Sequence, residues 1–152
     1  MRIRRTIMNT GDRLHTAREI RDMTMKEIGI EMHYPISSAA VRIAQYESGL
    51  RQPKAETLDQ LAGILNVSRK ALSGPEGYEV DDVMRFLFEL EEEGYDVTIR
   101  PEDGKMLVII SSDSLNEPLM LWNEIRTRYY GKEISRKEYI TWKFCYEVET
   151  KD

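Results

Sequence analysis

Few side chains in these 152 residues could carry covalent chemistry. The chain has one cysteine, Cys145, and two histidines, His15 and His33. A lone thiol can make neither an internal disulfide nor, by itself, a zinc site, and two histidines leave little material for a metal centre or a catalytic triad. No glycine-rich phosphate loop or nucleophile–base pair is visible in the C-terminal half. The chain is expected not to be an enzyme and to hold no metal or cofactor. What remains is hydrogen-bonding chemistry, and it is concentrated in AAVRIAQYESGLRQP, residues 39–53. Val41, Ile43, Ala44 and Tyr46 make a short apolar segment, Arg42 and Gln45 line its other side, and it stops abruptly at Glu47, Ser48 and Gly49.

The charge distribution says what such a face could meet. The net charge is −5, but residues 1–73 carry +4 and residues 74–152 carry −9. Asymmetry of this kind suggests two jobs, one of them facing a polyanion. Hydrophobic residues make up 41% of the chain, enough for a core, and no apolar run approaches the ~20 residues that span a bilayer. The basic start MRIRRTIMNTG is not followed by the apolar stretch of a secretory signal, so a reducing cytoplasm is the expected compartment.

The elements that must position residues 39–53 follow from periodicity and punctuation. Leu14, Ala17, Arg18 and Arg21 recur at helical spacing, with Asp22 near a stop. Thr24 and Glu27 form a capping box ahead of Ile28 and Met32. Pro35 breaks that helix, and Ser37 or Ser38 can cap the next, over roughly 39–48, which Gly49 ends. Pro53 opens AETLDQLAGIL, and Ser68 is expected to cap a last short helix. Five short helices are thus expected before SGPEGYE, the linker where the charge changes sign. Beyond it, VDDVMRFLFELEEEG reads as a helix carrying Val83, Phe86, Leu87 and Leu90. YDVTIR and KMLVIIS read as strands joined by PEDG, the first burying Tyr95, Val97 and Ile99, the second more central. LNEPLMLWNEIRTRYYG reads as a helix, and SRKE is a capping box opening a final one.

GDRLHTAREIRDMTMKEIGIEM and VRIAQYESGLRQPKAETLDQLAGILNVSRKAL together resemble the lambda-repressor/Cro-like, or xenobiotic-response-element, family of helix-turn-helix DNA-binding domains. The resemblance covers about 11–72; joined to the helix and strand reading beyond it, it makes the expected fold class α+β. The chain's first part would be an all-α, five-helix DNA-binding domain at 11–73, preceded by a basic arm at 1–10. A linker at 74–78 would lead to a small acidic α-β-β-α-α domain at 79–152 that dimerises or senses. In the family, a recognition helix enters the major groove with its N-terminal residues on base edges. Here that implies base reading by Ala40, Val41, Arg42, Ala44 and Gln45, with Gln45 suited to adenine and Arg42 to guanine or phosphate. Ser37, Ser38, Arg51 and Lys54 become phosphate contacts, which position without specifying. Glu47 resembles the residue that pairs with an arginine of the first helix, here Arg18. Two departures stand out: Met25 replaces a usual glutamine, and HYPISSAA is about four residues longer than the usual connection.

The remaining residues are assigned by composition. Arg2, Arg4 and Arg5 suit a DNA-binding arm or a plain tail. His15 and His33 are expected to be solvated or loop residues, and Cys145 a small buried hydrophobe. The aromatic-rich end contains Tyr129, Tyr130, Tyr139, Trp142, Phe144 and Tyr146. It suits an oligomer interface, a small-ligand pocket or plain core; the interface expectation falls on Trp122, Tyr129, Tyr130, Tyr139 and Trp142. The resulting expectation is a cytoplasmic transcriptional regulator, a repressor bound to a palindromic operator in double-stranded DNA as a homodimer, with no membrane partner. The alternative is a mobile-element inhibitor or antitoxin. Its acidic C-terminal domain would bind a protein partner while its helix-turn-helix domain autoregulates its promoter.

Overall fold

The computed structural model describes residues 8–74 and 79–147, and it is mostly helical with one small antiparallel sheet. The elements are α1 (Thr10–Ile20), α2 (Met25–Glu31), α3 (Ala39–Glu47), α4 (Ala55–Leu65), α5 (Arg69–Leu72), α6 (Val80–Glu92), β1 (Asp96–Glu102), β2 (Lys105–Ser111), α7 (Asp113–Tyr130) and α8 (Arg136–Cys145). Two compact units divide them. Met1–Gly77 joins Ile134–Asp152 in the first, and Tyr78–Glu133 forms the second.

In the first unit, short-range capping sets where helices start. The Thr24–Glu27 and Ser135–Glu138 boxes close reciprocally, and so does a third, Asn9 with Asp12, which the sequence reading did not include. Helix ends use a different device. Asp22 (φ 53°), His33 (φ 59°) and Asn66 (φ 48°) all sit in the left-handed region, which short polar side chains tolerate better than most. After α2, His33 N–H donates to Ile30 O and Tyr34 N–H to Gly29 O, so α2 ends at Glu31, four residues before Pro35, the expected breaker.

The core of this unit draws its largest fully buried side chains from every helix α1–α5: Leu14, Ile28, Ile43, Leu61, Leu65 and Leu72. Each such burial contributes about 1.5–3 kcal/mol. Phe144 of α8 joins the same cluster, with Ile140 against its edge. Ser68 N–H donates to Phe144 O at 2.8 Å, and Lys137 Nζ meets Asp22 at 2.7 Å. The expected C-terminal domain at 79–152 is therefore wrong at its end. α8 is a sixth helix of the first unit, because Phe144 finds its apolar surroundings there.

Other boundaries also move. The first unit starts before residue 11, since Asn9 caps α1 and Met8 packs against the core. Residues 1–7 of the expected arm and 75–78 of the expected linker lie outside the described residues. Gly74 still belongs to the first unit, its carbonyl accepting from Arg13 Nη1 at 2.6 Å. Ser38 and Ser68 occupy N-cap positions without a side-chain capping bond. Cys145 is exposed, not buried, with its Sγ 3.1 Å from Arg21 Nη2.

The second unit is α6-β1-β2-α7. Its strands pair antiparallel from Asp96↔Ser111 to Glu102↔Lys105, longer than expected, and turn through Asp103-Gly104, both left-handed. That is the two-residue hairpin turn whose twist matches the strands. With two strands in the sheet there is no central one, contrary to the expectation for KMLVIIS. None of the described residues 79–133 is buried, and the expected burial of Ile99 is not observed: it is 60% exposed.

Candidate nucleic-acid interface

α3 is held at both ends by glycines on neighbouring helices. A Cβ on Gly29 of α2 would collide with the backbone of Ala39, the first residue of α3, and a Cβ on Gly11 of α1 would collide with the carbonyl of Glu47, the last. Glycine at these two places lets three helix backbones approach more closely than any side chain allows. The sequence reading missed both roles. The available signal was a glycine inside each helical pattern, which weakens a helix unless packing requires it.

The C-terminal end of α3 is also held electrostatically. Arg18 Nε donates to Glu47 Oε1 at 2.6 Å and Arg18 Nη2 to Oε2 at 3.2 Å, a two-point pair. The side chains are 8% exposed for Glu47 and 14% for Arg18. Arg18 Nη1 also donates to the carbonyl of Met23, beyond the end of α1. The hydrogen bond to Glu47 raises the Arg18 pKa, against the opposing effect of burial. His15, expected to be solvated, instead enters this group. Its Nδ1 lies 2.9 Å from both Glu47 Oε2 and Arg18 Nη2, and its Nε2 lies 3.1 Å from Glu19. It lies one helical turn before Arg18, which places both on the same side of α1.

With Ala39, Ile43 and Tyr46 buried, the opposite side of α3 is set by its 3.6-residue period. Val41 is 56% exposed, and Ala40, Arg42, Ala44 and Gln45 are half-buried. Ser37, Arg51 and Lys54 are exposed on the flanking loops, while Ser38 is half-buried with its hydroxyl 3.3 Å from the Pro35 carbonyl. After α3, Gly49 (φ 74°) reverses the chain, and Arg51 N–H donates back to Gln45 O at 3.0 Å, which brings the basic loop against the helix end. Met25 is half-buried against the core.

The long connection between α2 and α3 contributes a residue absent from the sequence-based site. Tyr34 lies with its ring 4.9 Å beneath the Arg42 guanidinium, and its hydroxyl is 3.3 Å from that of Tyr46. Burial first, then the Tyr46 hydrogen bond, push the Tyr34 phenol up to about 12. Arg42 is thus braced by a cation–π contact. Only tertiary packing of the inserted loop brings these two together.

The expected interface aromatics do not form one cluster. Trp122, Tyr129 and Tyr130 belong to the second unit, with Tyr129 and Tyr130 rings 5.3 Å apart; Tyr139 and Trp142 belong to the first. Tyr139 is buried within the chain, so it is not available to a second copy. Trp142 is half-buried, with its ring 5.2 Å from that of Tyr146 and tilted by 46°.

The chain matches no protein-family model, and no curated protein matches it. Among solved structures it is similar to one described as the crystal structure of transcriptional regulator BswR. The identity is 26% and the TM-score 0.43, covering 57% of this chain and all of that one. Among the described residues no helix is long and apolar enough to cross a membrane.

Proposed function

We propose that this chain is a sequence-specific DNA-binding transcriptional regulator and not an enzyme, with α3 as the helix that enters the major groove. The observation that carries the reading is the pairing of a rigid mount with an open face. Both ends of α3 are locked to α1 and α2, while Val41 projects into solvent beside Arg42 and Gln45. A helix that reads base edges needs this combination, because each bidentate contact depends on orientation. Gln45 and Arg42 supply the polar contacts, Ala40, Val41 and Ala44 the apolar ones to thymine methyls. Ser37, Ser38, Arg51 and Lys54 hold phosphates. A single such unit reads too few base pairs to find one site among many, so the protein works as a dimer on a palindromic operator, as a repressor.

The test is retention of genomic DNA fragments by the purified full-length protein, followed by affinity measurements across salt. Specific fragments should be recovered, and affinity should fall steeply with salt as phosphates release counterions. Failure to retain any fragment at low salt would remove the DNA-binding reading.

A further inference from the structure

The second unit has the amphipathic pattern of a folded domain without its interior. On α6, Val80, Val83, Met84, Leu87 and Leu90 recur at helical spacing, with Phe86 and Phe88 on either flank. The apolar arc is too wide for one packing surface. On the hairpin, the register puts Val97, Ile99, Pro101, Met106, Val108 and Ile110 on one face, with no polar residue among them. On these two apolar faces, the half-buried positions lie where α6 runs into β1. Leu87, Leu90, Tyr95, Val97 and Ile110 are half-buried, whereas Val80, Val83 and Met84 at the start of α6 and Ile99, Met106 and Val108 towards the hairpin turn are exposed. A lone two-stranded hairpin is marginal in water, and a chain segment this short needs most of its apolar surface covered to fold.

We infer that this surface is the interface with a second copy of the chain, and that the start of α6 and the turn end of the β1–β2 hairpin complete their core only in the dimer. Two observations select that occupant. Val80, Val83 and Met84 of α6 and Ile99, Met106 and Val108 of the hairpin are all exposed, an apolar face of the kind that a standard interface, about 800 Å² per partner, covers. Monomers seldom expose such a face. The charges are elsewhere: Asp81, Asp82, Glu89 and Glu92 fall on the far side of α6, and Arg85 pairs with Asp81 at 3.1 Å. Glu91, in the last turn, is the acidic residue that intrudes on the stripe. A near-neutral apolar face suits its own copy across a two-fold axis. A partner recruited by acidity would instead engage the opposite side. The inferred interface lies on α6 and the hairpin.

Sedimentation equilibrium of the full-length protein tests this without reference to DNA. The wild type should sediment at twice its 17.8 kDa mass at micromolar concentration. Val83→Asp and Val108→Asp each place a charge in the proposed contact and should weaken the dimer by more than about a hundredfold. Met120→Asp, on the side of α7 away from its apolar stripe and 73% exposed, should leave it unchanged. Amide exchange in β1 and β2 should slow as concentration rises through the dimer range. A wild-type monomer at tens of micromolar with slowly exchanging β1 and β2 amides would overturn the inference. So would a dimer unaffected by both substitutions, or a wild-type chain that loses its monomeric state only on adding a different protein. A dimer that ignores DNA would remove the proposed function and leave this inference standing; a monomer that binds DNA would overturn this inference and leave of the proposed function only the DNA-reading role of α3.

Discussion

Six helices of the first unit each put at least one side chain into a common interior, from Leu14 of α1 to Phe144 of α8. The second unit has equally regular apolar faces on α6 and the hairpin, yet none of its described residues is buried. Both patterns look alike to a periodicity argument. They differ in what surrounds them, because a stripe states that a face needs covering and not what covers it. The first unit meets that need within the chain, and the second does so, on our inference, between chains.

The sharpest way to break this contrast is to truncate one aromatic in each unit. Phe144→Ala should destabilise the first unit by about 3–5 kcal/mol, independent of protein concentration, since the cavity opens inside the chain's own core. Phe86→Ala should leave the amide exchange of Leu61 and Leu65 within about 0.5 kcal/mol of wild type. Equal effects of both substitutions on Leu61 would mean that the two units are one core.

A loss of similar size is expected at Glu47. Replacing it with alanine strands a mostly buried Arg18, at a cost of up to about 3–5 kcal/mol, the figure for a fully enclosed pair, read as a lower melting temperature of the first unit. A variant Glu47→Ala that melts with wild type would show that glycine packing alone mounts α3.

Smaller effects report on the open face. Gln45→Ala should relax preference at one base pair per half-site by about 1–3 kcal/mol, whereas Arg51→Ala should weaken all sequences alike and flatten the salt dependence. Selection from random DNA gives both profiles; an unchanged profile for the Gln45 variant would mean that α3 is misplaced in the groove.

The smallest effect expected is at Tyr34. Tyr34→Leu should remove about 0.5–1 kcal/mol of cation–π support from Arg42, while Tyr34→Phe keeps the ring and loses the hydroxyl contact. Its folded-state pKa, about 12, lies above the ordinary value of 10.0. The neutral phenol is therefore the stabilising form: its contribution is complete below pH 10 and is lost as pH rises from 10 through 12. Ultraviolet titration should show a late-ionising tyrosine in wild type that Tyr34→Phe loses. Loss of the late ionisation in Tyr34→Leu but its persistence in Tyr34→Phe would assign it to Tyr46.

What the sequence by itself determined was local. Thr24 with Glu27 and Ser135 with Glu138 announce helix starts because a capping box closes within four residues, and Leu58, Leu61 and Leu65 announce a buried stripe because helix period is intrinsic to the backbone. Asp22, His33 and Asn66 end helices in left-handed geometry by equally local means, but without the glycine that makes such an end easy to recognise. Tertiary structure alone decided the rest. It assigned α8 to the first unit, since Phe144 and Ser68 are remote in sequence and meet only in the folded core. It gave Gly11 and Gly29 their purpose, since a missing Cβ matters only where another backbone arrives. It set Tyr34 beneath Arg42, and it left the apolar faces of α6 and the hairpin without a covering layer inside their own unit, because burial is a property of neighbours, and neighbours distant along the chain leave no mark on a residue's own spacing.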